Sequence, residues 1–375
     1  MGVTVQRAIW LDLLRASAAQ MIVLHHLAFY GPVAEGLARE WPATVGWLSE
    51  HARIAVQVFL VMSGYLVARA LPEHPSAQAG EMLRSLLRRY LRLFIPFSLA
   101  MGVAVLASWP ARVWVGAADW VTQPPDLKSV LAHLSGLFDY LGVEALSAGA
   151  WYVSIDLQLH ALVIVSLWFC ARSISHVERV WHAWWLMVLA LAALSLLGVN
   201  RFPDWDITPF YFFGSFALGL AAERLARPDQ ASGSREVSRR GFERRVSVAI
   251  LAVAVLAWAN EPAARPAVAL VTALVILWLA RGAGARFDRA LSLHGWGRRT
   301  ASGIGLLGRS AYSLFLIHFP LAILVNAIYQ RHFPGDLQAA GVAAAIAWLG
   351  ALPLAWLMYR WVERPLERVT KPARA

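Results

Sequence analysis

Four apolar stretches of this chain carry ionisable side chains where a membrane or a protein core would be expected. A charge in such surroundings is costly unless it faces a cavity or a bundle interior, so these residues are the first candidates for chemistry. The first stretch holds Arg15, His25 and His26, with Asp12 near its start. Eleven residues separate Arg15 from His26, about three helical turns or roughly 16 Å of axis, so both share one helix face while His25 points about 100° away. One face thus offers a cation at one end and an imidazole at the other. An imidazole with an ordinary pKa near 6.5 suits general-base work at neutral pH. Two plainer readings stand beside it. Arg15 can snorkel or pair with Asp12 at i,i+3, and His26 can be a hydrogen-bonded packing residue.

The second stretch, AWYVSIDLQLH at 150–160, sets Asp156 and His160 at i,i+4, and Ser154 and Gln158 likewise. Its carboxylate needs a partner, either His160 or a residue of another helix; the alternative is a polar clamp between helices. The third, FLVMSGYLVAR at 59–69, contains Ser63-Gly64, where a ligand or a second backbone can approach closely. It is followed by RRYLRLFIPF at 88–97, whose Arg88, Arg89 and Arg92 suit either membrane anchoring or the phosphates of a cytosolic ligand. The fourth, GRSAYSLFLIHFP at 308–320, places His318 just before Phe319-Pro320. A kink there would turn the imidazole inward; a buried structural histidine is the other reading. Cys170 is the one cysteine, which excludes an intramolecular disulfide and a cysteine metal cluster, and no metal site is expected.

The elements that position these residues follow from composition. Of 375 residues, 59% are hydrophobic and only 15% charged, which excludes a secreted domain, a cytosolic enzyme and a disordered chain. Ten apolar segments, at about 8–30, 54–71, 93–109, 147–171, 181–199, 207–225, 246–260, 265–280, 308–330 and 339–361, predict an all-α, polytopic bundle of about ten transmembrane helices. With the N-terminus inside, 26 Lys and Arg fall on the inner side and seven on the outer, leaving Arg15 within a span. That bias places both termini in the cytoplasm. It also accounts for the net charge of +11 without a nucleic-acid partner. The outer loop 110–146 carries an apolar piece, Val130 to Val143, that reads as a re-entrant or surface helix. Residues 226–245, with Pro228, Gly233 and six arginines, read as a flexible cytoplasmic linker. No repeat and no appended soluble domain is expected; residues 1–375 read as one transmembrane domain.

Taken together, LDLLRA with His26 downstream, the SGY of 63–65, RRYLRLFIPF, the Trp151/Ser154/Asp156/Gln158 pattern, GRSAYSLFLIHFP and VERPLER at 362–368 resemble the membrane-bound acyltransferase family 3. No single motif is specific, but six occur in the right order over nearly the whole chain. The resemblance implies ten spans in a bacterial cytoplasmic (inner) membrane. It also implies transfer of an acyl group, commonly acetyl, from cytosolic acyl-CoA to a hydroxyl of an extracytoplasmic carbohydrate or a polyketide-like metabolite, with no bound cofactor. By residue, it matches Arg15 and His26 to the family's essential pair. Arg88, Arg89 and Arg92 match its basic motif, and Trp151, Ser154 and Asp156 a motif that usually ends in glutamate. Tyr312 and His318 match a late-span pattern. His26 is then expected to act as general base, with Asp156 fixing its tautomer, and Ser63, Gly64, Trp151, Ser154, Tyr312 and His318 contributing to substrate binding. The competing class is a membrane carrier for a polar or lipid-linked metabolite, since intramembrane Arg, His and Asp also serve proton-coupled transport.

Overall fold

The computed structural model describes residues 8–228, 234–293 and 295–370, without the side chains of Arg235 and Leu293. The helices in chain order are α1 (Ile9–Phe29), α2 (Gly31–Glu40), α3 (Pro42–His51), α4 (Val56–Ala70), α5 (Ala79–Val115), α6 (Leu127–Ser135), α7 (Ala150–Ser173) and α8 (Val177–Leu197). They continue as α9 (Pro209–Ala226), α10 (Ser234–Asn260), α11 (Ala264–Trp278), α12 (Gly284–Leu293), α13 (Gly295–Arg309), α14 (Ala311–His332), α15 (Leu337–Met358) and α16 (Arg364–Val369). Each of the ten apolar segments falls on one of these helices, and among the described residues seven helical stretches are long and apolar enough to cross a membrane. The chain is a polytopic helical membrane protein.

It forms two compact units, each assembled from three separate segments. No linker marks their limits, because the boundaries fall within helices such as α5 and α7.

The first unit comprises residues 1–10, 57–89 and 155–301. Its helices α8, α9, α10 and α11 pack on one another around Trp184, Phe213, Phe216 and Leu220. In lipid, helices gain little from burying apolar surface against each other and associate through close packing instead. Gly64 and Gly219 show the consequence. A Cβ on Gly64 would lie 2.0 Å from the Phe216 carbonyl oxygen, and one on Gly219 would lie 1.9 Å from that of Val61. The start of α1 is capped from a distance, since the backbone N–H groups of Ile9 and Trp10 both donate to the Asp288 carboxylate at 3.3 Å.

The expected linker is largely helical. From Ser234 onward its arginines sit at i,i+4 from glutamates, with Arg239 on Glu243 and Arg240 on Glu236, and these pairs support the first turns of α10. Residues 229–233 lie outside the described residues.

The second unit comprises residues 11–56, 90–154 and 302–375. Helix α14 is buried almost all round, and α15 packs on it through Ala340, Ala343, Ala347, Ala351 and Ala355. On the other face of α15, Val342, Ile346 and Leu349 are more than half exposed, as suits contact with lipid. The loop between α1 and α2 turns at Gly31, whose φ of 82° favours glycine. Asn326 of α14 then accepts from Val33 N–H at 3.0 Å and so caps α2. Of the apolar piece Val130 to Val143, only the first residues are helical, in the short helix α6, N-capped by Asp126 and ended by Gly136 at φ 70°; residues 136–143 form turns.

Candidate functional site

The residues singled out in the sequence gather into two clusters, one in each unit. In the second unit, α1 presents His26 and α14 presents His318, with the rings nearly parallel, 9° apart in plane and 5.0 Å between centroids. Both are buried, His26 to 8% and His318 to 1% exposure. Tyr30 and Phe319 stand edge-on to the His26 ring.

The hydrogen bonds of this pair set its tautomers. His318 Nδ1 lies 2.9 Å from the Leu314 carbonyl oxygen, which can only accept, so Nδ1 carries the proton. In the neutral ring, His318 Nε2 then has a lone pair. His26 Nδ1 lies 2.7 Å from that nitrogen and must donate to it. The neutral His26 ring is left with its lone pair on Nε2, which has no protein partner among the described residues. The arrangement is a base held in one tautomer by a buried acceptor. His25, whose ring centroid lies 5.1 Å from that of His26, donates from Nδ1 to Leu48 O at 3.1 Å.

Other family-pattern residues of this unit are tied into the framework. Arg15 meets Asp12 at 3.5 Å, the i,i+3 pairing anticipated as the plainer reading. Gly308 allows α13 to lie directly on Asp12, where a Cβ would come within 2.5 Å of backbone atoms. Tyr312 donates its hydroxyl to Leu93 O at 2.8 Å, and Arg92 pairs with Glu367 at 3.1 Å. Trp151 is half-buried beside Tyr152, and Ser154 is buried, its Oγ without a partner among the described residues.

The first unit holds the carboxylate. Asp156 is 2% exposed, accepts from Ser63 Oγ at 2.5 Å and forms an ion pair with Arg89, whose Nη2 also reaches Ser63 Oγ at 3.1 Å. Asp156 is therefore engaged with a guanidinium and a hydroxyl, and the acceptor for His26 Nδ1 is His318. A buried carboxylate is better compensated by a permanently charged guanidinium than by a neutral imidazole. His160, one turn beyond Asp156, has both ring nitrogens buried and unpartnered among the described residues. Gly64 serves the α4–α9 contact. Of the three arginines in the basic motif, Arg88 alone has no ion pair or hydrogen bond among the described residues.

Sequence reasoning passed over two further polar groups. Glu363 is buried at the end of α15 in a π-type turn, where it accepts from Ser313 Oγ at 2.8 Å. Its signal was a carboxylate ending an apolar run within VERPLER. In the first unit Arg224 and Glu243, counted only as loop charges, form a buried ion pair.

On α6, His133 donates from Nδ1 to Ser129 O at 2.8 Å and accepts at Nε2 from Leu146 N–H at 3.1 Å, stacked on Phe138. Burial away from water holds its pKa below the ordinary 6.5, opposed by the Ser129 carbonyl.

Compared with known families, residues 8–360 match the family model described as an acyltransferase domain, Acyl_transf_3, a match that takes in both units. Neither the curated proteins nor the solved structures compared with the chain gave a match.

Proposed function

The chain belongs to the membrane-bound acyltransferase family 3 and is an acyltransferase; from that premise we propose that it moves an acetyl or similar acyl group from cytosolic acyl-CoA to a hydroxyl of an extracytoplasmic carbohydrate or related metabolite, in the bacterial inner membrane. The observation that carries this reading is the hydrogen-bond chain from Leu314 O through His318 to His26, which leaves a lone pair on His26 Nε2. In the proposed reaction that nitrogen takes the proton of the acceptor hydroxyl as the oxygen attacks the thioester carbonyl. The tetrahedral intermediate collapses by breaking the C–S bond, and the His26 imidazolium returns the proton to the departing sulfur. His318 Nε2 accepts from the charged ring throughout, so it stabilises the imidazolium as well as orienting it.

Arg88 is the arginine of the basic motif left for the donor's phosphates, with Arg89 held by Asp156 and Arg92 by Glu367. On the charge bias of the loops these arginines lie on the cytoplasmic side, where acyl-CoA is found.

The test is to incubate membranes with labelled acetyl-CoA and to follow label on envelope carbohydrate. Wild-type membranes should transfer it, and His26→Ala should insert normally yet lose about 10²–10⁴-fold in rate. Full transfer by that variant removes His26 from the chemistry. Proton-coupled uptake of a metabolite with no acyl transfer would favour the carrier instead.

A further inference from the structure

The first unit holds a half-open cleft of about 390 Å³, lined by none of the residues assigned above to acyl transfer. Its walls include Trp181, Trp184 and Trp185 of α8, Arg224 at the end of α9, and Arg239 and Glu243 of α10. Arg224 is 6% exposed and Glu243 only 2%. Glu243 is shared, since it binds Arg224 through one oxygen and Arg239, at 2.8 Å, through the other. The nearby Arg227 takes Glu223 at 2.6 Å. One carboxylate thus serves two guanidiniums, and Arg224 Nη2, buried, finds no acceptor among the described residues. A buried donor without an acceptor is unfavourable, and a guanidinium matches a phosphate in both charge and geometry.

Size and lining describe the rest of the ligand. Sites for small organic molecules run from about 300 to 1,000 Å³, so this cleft has room for more than a lone phosphate ion. Trp181, Trp184 and Trp185 are almost wholly buried and form the packed floor under the arginines. The segments that meet here, from the end of α4 to the start of α10, border loops that the Lys/Arg bias assigns to the cytoplasm.

We infer that this cleft is a binding site for an organophosphate reached from the cytoplasmic side, its phosphate on Arg224. Two sources share this chemistry, a soluble nucleotide and an anionic lipid headgroup. The inference stands apart from the acyl-transfer reading, because it concerns binding and uses none of the same residues.

Equilibrium dialysis of the purified full chain with labelled ADP, in phosphatidylcholine nanodiscs, tests it. Saturable binding is expected. Arg224→Lys keeps a charge for Glu243 but removes the second guanidinium nitrogen, and should weaken binding about tenfold. Arg227→Gln, at the more exposed rim, should weaken it about threefold and serves if the first variant does not fold. Nanodiscs containing phosphatidylglycerol separate the sources. If that lipid displaces ADP in an Arg224-dependent way, the site is a headgroup site; if ADP binding is unchanged, a soluble nucleotide is the ligand. No saturable ADP binding together with no lipid dependence overturns the inference, as does equal affinity in wild type and both variants.

Discussion

Replacing His318 tests whether His26 is held as a base by its neighbour or merely packed beside it. In His318→Leu the apolar volume is roughly kept, but the acceptor 2.7 Å from His26 Nδ1 is lost. During transfer that bond joins a charged imidazolium to a buried acceptor, and hydrogen bonds to charged groups are worth about 1.5–3 kcal/mol. At 1.36 kcal/mol per tenfold in rate, kcat should fall about 10- to 150-fold. The KM for acetyl-CoA should stay put, because the donor's phosphates are held elsewhere. His318→Gln, whose amide oxygen can reach the place of Nε2, should recover much of the loss. The assay is initial-rate transfer of labelled acetyl in membranes over a range of acetyl-CoA, with the amount of inserted protein measured for each variant. A leucine variant within twofold of wild type, or a glutamine variant as slow as leucine although equally well inserted, would refute the reasoning.

Further outcomes follow from the same contacts. Arg88→Ala should raise the KM for acetyl-CoA severalfold with little change in thermal unfolding in detergent. Arg89→Ala instead leaves the buried Asp156 uncompensated and should cost about 3–5 kcal/mol of stability, read as a lowered unfolding midpoint; equal behaviour of the two would show that the ion pair carries neither distinction. Gly64→Val forces side-chain carbon into the Phe216 backbone and should lower the yield of folded protein, with about 1–3 kcal/mol lost, whereas Gly102→Val, in open space, should not. The loop held by His133 should loosen in acid. His133 has a folded pKa below 6.5, so the opened loop binds the proton more tightly, and closure free energy is full above about pH 6.5 and declines as pH falls below it. Hydrogen exchange at Leu146 N–H should rise over that range, and His133→Gln should flatten the response.

Much of the architecture was legible without coordinates. Length and hydropathy of the apolar runs marked segments that are helical, seven helical stretches among the described residues being long and apolar enough to cross a membrane, because lipid leaves a backbone no alternative to internal hydrogen bonding. The order of weak motifs pointed to the acyltransferase family, and helical periodicity put Arg15 and His26 on one helix. Each of these is a local property, carried by neighbours along the chain. The partners of the polar groups are not local. Asp156 has His160 one turn away, yet it is joined to Arg89, 67 residues distant, and His26 to His318, 292 residues distant. The stretch at 226–245 looked like a linker from its arginines and glycine, and only its glutamate spacing hinted at α10. What the amino-acid order determined by itself was which segments must be helices in a membrane and which side chains are too polar to be idle there. Which polar group compensates which, and so which histidine nitrogen keeps its lone pair, was decided only when distant helices packed, since a buried charge or proton is satisfied by whatever the fold brings within 3 Å and no spacing rule reaches that far.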